Sequence, residues 1–176
     1  MRSLRALSSG RDRGAEVARL VERESGSLLN YFLRRTAAAE DAADLLGETL
    51  LIVWRRESSI PGDENQSRMW LFGIARKVLS GQRRSTNRRS ALTNRLITEL
   101  TANDRTVTDD VGEGVREVIG LLDEKDQEII RLVYWDGFTL TEVAQLLHSR
   151  PATIRSRHAR ARTKLRNAFA QHCDPD

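Results

Sequence analysis

Arginine is the residue whose placement says most about chemistry in this chain. In the stretch TLTEVAQLLHSRPATIRSRHARARTKLR, residues 139–166, one guanidinium follows another, and no acid occurs from Ser149 through Cys173. A guanidinium fork bonds bidentately to a guanine edge and also neutralises phosphate. Carried on the second of two helices joined by a short turn, it meets the major groove of duplex DNA. HSRP is such a turn, and Pro151 suits the first position of the second helix, where its missing N–H has no partner to lose. Ile154, His158, Ala161, Leu165 and Phe169 then mark the inward seam. Arg150, Thr153, Arg155, Ser156, Arg157 and Arg160 are left as candidate DNA contacts on or near the outer faces.

A second basic window lies upstream. From Asn65 through Thr98 there is no acid, while Arg68, Arg76, Lys77, Arg83, Arg84, Arg88, Arg89 and Arg95 all fall inside it. Basic side chains along a helix track phosphates. The net charge is only +4 although the pI is about 9.8, so position matters more than total. Groupings for other chemistries are missing. No His/Cys/Asp/Glu cluster has metal-ligand spacing, and there is no glycine-rich phosphate loop or nucleophile motif. No catalytic residue, metal or cofactor is therefore expected. His148 and His158 read as a turn residue and a seam residue. Cys173 is the single cysteine, which rules out a disulfide framework. No run approaches the roughly 20 apolar residues that span a bilayer, and a cytoplasmic protein is expected.

The elements that must position these residues read as helical throughout. The chain has 176 residues, with aromatics at 5% and three prolines, a composition suited to small bundles. Residues 1–14, rich in Arg, Ser and Gly, read as a flexible arm. From Ala15 to Arg35 the residues Val17, Leu20, Val21, Leu28, Leu29 and Phe32 recur at helical spacing, with Gly26 leaving two helices or one kinked helix open. In DAADLLGETLLIVWRR, residues 41–56, the set Ala42, Leu45, Leu46, Thr49, Leu50 and Val53 forms one stripe. Asp41, Asp44 and Glu48 lie opposite, towards the end where the helix dipole favours acids. SSIPGDENQS, residues 58–67, is a turn-rich loop, and Trp70, Leu71, Ile74, Ala75 and Val78 form the next seam. Trp54 and Trp70 are read as packing residues. Residues 91–113 turn acidic and apolar-poor, the composition of a linker between a domain at 15–90 and another at 114–172. In the second domain Asp123 can cap a helix with Ile129, Ile130 and Val133 inward, and Gly137 suits its C′ position. Thr139 and Glu142 form a capping box, flanked by Phe138 and Val143 as a hydrophobic staple.

Together these segments resemble a bacterial RNA polymerase sigma factor of the extracytoplasmic-function group, over roughly residues 20–170. DAADLLGETLLIVWRR resembles the family's polymerase-binding helix and MWLFGIARKVLSGQRRSTNRR its promoter-melting segment. LLDEKDQEIIRLVYWDGFTLTEVAQLLHSRPATIRSRHARARTKLR resembles its upstream-element reader. The resemblance implies an all-α protein of two small helical domains joined by a flexible acidic linker. Its partners would be promoter DNA and core RNA polymerase, through the clamp helices of the largest subunit and the flap of the second largest. An anti-sigma factor is a common further partner in this family. Asp41, Asp44, Leu45, Glu48 and Leu51 would lie on or beside the clamp-docking surface. Asn65, Arg68, Arg76, Lys77, Arg83 and Arg84 would hold the −10 non-template strand. Arg150, Thr153, Arg155, Ser156, Arg157 and Arg160 would approach the −35 element, and the linker would thread the polymerase's RNA path. Four positions depart from the family pattern: Gly47 for a common Gln, Lys77 for Asn, His148 for a turn Gly, and His158 for an apolar residue. His148 thereby asks a residue with a Cβ to adopt the left-handed region. A helix-turn-helix regulator of the response-regulator output type shares the EIIRL…TLTEVAQLL…ATIRSR pattern, but leaves WLFGIARK without a role.

Overall fold

The computed structural model describes residues 2–96 and 113–172, with side chains placed for residues 13–86, 114, 115 and 117–170. Among the described residues there are seven α-helices, one 3-10 turn and no strand. The chain divides into two compact units, within residues 1–107 and 108–176. The expected linker, 91–113, lies outside the described residues from 97 to 112.

The first unit packs α1 (Arg2–Leu33), α2 (Ala39–Arg55) and α3 (Glu64–Leu96), with a 3-10 turn at Glu57–Ser59. The buried stripe of α1 is Val17, Leu20, Leu28, Tyr31 and Phe32, with Glu24 on the same stripe. One continuous helix runs through Gly26. It also takes in residues 2–14, where composition suggested an arm. Once the amphipathic part is nucleated, each added residue gains one backbone bond, and Arg, Leu and Ala propagate well. The same physics extends α3 through residues 91–96, the start of the expected linker. At the end of α1 the side chain of Arg35 donates to Tyr31 O at 3.0 Å and lies 3.8 Å above the Tyr31 ring. Thr36 Oγ1 donates to Phe32 O at 3.0 Å, so the last carbonyls are satisfied.

Ala42, Leu45, Thr49 and Val53 are the buried face of α2, at spacings of three and four. Buried Thr49 donates its hydroxyl to Leu45 O at 2.7 Å. Against them α3 buries Leu71, Phe72, Ile74, Ala75, Val78 and Leu79. Tyr31 meets Phe32 and Phe72 edge-on, with ring centroids 5.3 and 5.5 Å apart. Each large apolar side chain buried this way contributes about 1.5–3 kcal/mol.

The second unit holds α4 (Glu113–Gly120), α5 (Glu124–Tyr134), α6 (Leu140–Leu146) and α7 (Pro151–His172). Its short helices are fixed by explicit end chemistry. Asp123 caps α5, its carboxylate accepting from Asp126 N at 2.9 Å. Gly137, at φ +71°, makes the reversal after α5. Thr139 and Glu142 form both bonds of the capping box on α6, and Phe138 and Val143 are buried beside it. The core face of α5 is Ile129, Ile130 and Leu132; Val133, expected inward, is only half-buried. Leu122, Ile130 and Ala161 form a cluster that Leu165 partly covers.

Candidate nucleic-acid interface

Helix α6, the turn at residues 147–150 and α7 build the first surface. The turn is held by Leu147 N donating to Val143 O (2.9 Å) and Ser149 N to Ala144 O (2.9 Å). His148 sits at φ +49°, the left-handed conformation that its place in the turn demands. A residue with a Cβ is strained there by about 1–2 kcal/mol. Ile154, His158 and Ala161 face inward and are buried, whereas Phe169, expected on that seam, is exposed. His158 stacks on Tyr134 with centroids 5.8 Å apart, and its Nε2 is buried without a hydrogen-bond partner. Burial pushes its pKa below the ordinary 6.5, and the charge of Arg162 adds to the effect.

Arg150, Thr153, Arg155, Ser156 and Arg160 are all exposed. Arg162 and Arg166, seven and eleven residues after Arg155, are exposed on its side of α7 and extend the basic face beyond the predicted set. Their signal in the sequence was that helical spacing. Arg157 departs from expectation. It turns to α5, its Nη2 2.6 Å from Asp123 Oδ1 and its Nε 2.7 Å from Asp126 Oδ1. The first contact is a hydrogen bond; the second brings opposite charges together without hydrogen-bond alignment. Its side chain is 24% exposed.

In the first unit the basic residues of α3 divide by helical phase. Lys77 and Arg84, two turns apart, are exposed on the outer face, and Asn65 is exposed in the first turn. Arg76 is half-buried; Arg83 is exposed and reaches Arg35 O at 3.5 Å. Arg68 is committed inside the unit. Its Nε lies 3.1 Å from Glu24 Oε2, and its guanidinium lies 5.2 Å from the Phe72 ring centre. Arg23 bridges the same Glu24 and Glu64 at 3.2 and 3.3 Å, tying α1 to the first turn of α3. Residues 64–67 of the expected loop are thus helical. Asp63 caps them, accepting from Gln66 N at 2.9 Å.

The expected docking residues of α2 also separate. Asp44, Glu48 and Leu51 are exposed, Leu51 at 58%. Asp41 is half-buried and accepts from Gln82 Nε2 of α3 at 3.5 Å. Leu45 is 3% exposed and is a core residue, unable to touch a partner in the folded unit. Trp54, read from sequence as a packing residue, is 49% exposed near Leu51 on the outer face. Asp44 and Glu48 form one wall of an open groove whose other wall carries Lys77 and Gln82.

Residues 113–165, which contain the whole helix-turn-helix, match the family model described as Sigma-70, region 4. The sequence is 25% identical over 143 residues to the ECF RNA polymerase sigma factor SigL of Mycobacterium tuberculosis, covering 78% of this chain and 80% of SigL. Residues 113–165 thus carry a sigma-70 region 4 match, and the chain is similar to extracytoplasmic-function sigma factors. A second relative, the ECF RNA polymerase sigma factor BldN of Streptomyces coelicolor, is 24% identical over 148 residues, 81% of this chain and 56% of BldN. Two solved structures share the fold. RpoE from Bartonella quintana, in complex with the anti-sigma factor NepR, superposes with a TM-score of 0.67 at 23% identity, over 91% of this chain and 98% of RpoE. CnrH, in complex with the cytosolic domain of CnrY, gives 0.61 at 20% identity, over 90% and 89%.

Proposed function

We propose that this protein is a sigma factor that binds core RNA polymerase, carries it to particular promoters and helps to melt the −10 region. The observation that carries this reading is the outward face of α7, where Arg155, Ser156 and Arg160 project from the second helix of a capped helix-turn-helix. A helix of this kind enters the major groove, with arginines reading guanine edges and gripping phosphates. Lys77 and Arg84 on α3, with Asn65 at its start, supply the second hold, on the non-template strand. Asp44, Glu48 and Leu51, joined by Trp54, form the surface that docks on the polymerase clamp helices, and the second unit meets the flap. The linker follows the RNA path. An anti-sigma factor completes the set of partners, as in the RpoE–NepR complex. The work takes place in the cytoplasm beside the polymerase; among the described residues no helix is long and apolar enough to cross a membrane.

The test mixes the purified chain with core polymerase and asks for run-off transcripts. Promoter-specific transcripts that require both components are expected. A chain that binds duplex DNA but not core polymerase would reject the reading in favour of an ordinary helix-turn-helix regulator.

A further inference from the structure

Arg157 stands in the most basic stretch of the chain, yet its guanidinium faces two carboxylates of its own unit. Asp123 is the N-cap of α5 and Asp126 lies in the first turn, so the fork spans the start of one helix. Two different nitrogens make the contacts, one a hydrogen bond at 2.6 Å to Asp123 and the other a charge contact at 2.7 Å to Asp126, so both acids hold the guanidinium against α5. On α7, Arg157 lies between the buried residues Ile154 and Ala161, at the edge of the seam against α5. The Asp126 side chain is only 8% exposed. Withdrawing Arg157 towards DNA would strand a carboxylate with almost no water to solvate it, a far larger penalty than losing a surface ion pair. Asp123 is held ionised by the Asp126 backbone N–H and by the Arg157 charge, both of which lower its pKa.

We propose that Arg157 is a positioning residue that clamps α7 to the start of α5 and so sets how the recognition helix enters the groove, leaving base reading to Arg155, Ser156 and Arg160. This rests on the sigma-factor reading above. The clamp makes the opposite prediction from a DNA-reading arginine when its acidic partners are removed. If Arg157 read DNA, neutralising Asp126 would free it and tighten binding; if it positions α7, the same change loosens the helix.

The experiment uses the full chain with core polymerase and promoter duplexes randomised through the upstream element. It compares wild type, Arg157→Gln, Asp126→Asn, their double variant, Arg157→Lys and Arg155→Ala. Arg157→Gln and Asp126→Asn are each expected to weaken the complex about tenfold, and the double variant no further than the worse single one. Base preference stays that of wild type at every position, and Arg157→Lys recovers part of the loss. Arg155→Ala instead changes the preference. Tighter binding by Asp126→Asn, or preference relaxed at one base pair by Arg157→Gln, would overturn the proposal. Should either variant unfold, Asp123→Asn carries the same comparison. It removes one charge at an exposed site while keeping an equally good cap. A wild-type chain that forms no polymerase-dependent promoter complex defeats the sigma reading itself, a result separate from any ranking of the variants.

Discussion

The two basic helices, α3 and α7, have similar composition and use it differently. On α7 the arginines at 155, 160, 162 and 166 are exposed, whereas Arg157 is drawn into ion pairs with Asp123 and Asp126. On α3 the first arginine, Arg68, is committed to buried Glu24, and Arg83 reaches back to the end of α1. The outer face keeps Lys77 and Arg84. The units are also held differently. The second fixes short helices by caps and turns, whereas the first stacks long helices over aromatics and a buried acid. A run of arginines is therefore not a measure of charge offered to a ligand. The helical phase, and the acids that phase meets, decide what is left over.

The largest effect that would test this contrast is at α2. Leu45→Asp places a charge in the core and is expected to unfold the first unit, costing more than about 4 kcal/mol. Leu51→Asp, on the exposed face, should leave denaturant unfolding within about 0.5 kcal/mol of wild type while weakening polymerase binding. Equal unfolding by both would contradict the assigned phase of α2. Next, Glu24→Gln removes the acid that Arg23 and Arg68 share. A loss of about 1–3 kcal/mol is expected, below that of a fully buried pair because both arginines are partly solvated. An unchanged denaturation midpoint would show that this web does not hold α1 to α3. Smaller again is His148→Gly in the second unit. It relieves left-handed strain and adds unfolded-state entropy, for a net gain of about 1 kcal/mol or less, read as a higher melting temperature.

The last concerns pH and separates the units by direction. The unfolded chain protonates the His158 imidazole at its ordinary 6.5, while the folded chain resists because the ring is buried. Below that pH the unfolded state binds more protons, so stability of the second unit falls. Asp123, whose folded pKa is lowered, contributes stability present above its ordinary 3.8 and lost as pH drops through the lower folded value. Melting of the second unit should therefore weaken in two acid steps. His158→Leu should abolish the upper one, and its persistence in that variant would assign it to another group.

What the sequence disclosed was mostly local. Thr139 and Glu142, three residues apart, announce their capping box, and Gly137 announces a left-handed position, because cap and turn chemistry is complete within a few residues; the left-handed position of His148 was legible only through the family resemblance. Helical periodicity also placed Leu45 in the α2 stripe; only the family resemblance gave it a docking role, and the structure sides with the periodicity. The partners of Arg157 and Arg68 were hidden because Asp123 and Glu24 lie 34 and 44 residues away in sequence. No spacing rule reports a contact made by packing two helices together. Trp54 was misread for a related reason: a large aromatic beside an apolar stripe looks like core until the neighbouring helices show which flank they cover.

Under the proposed function, the outward face of α7 chooses the upstream promoter element. The direct measurement is promoter selection from a randomised upstream library by polymerase carrying wild-type or Arg155→Ala protein. A loss of about 1–3 kcal/mol is expected, concentrated as relaxed choice at one or two neighbouring base pairs. Unchanged choice and unchanged affinity would contradict it.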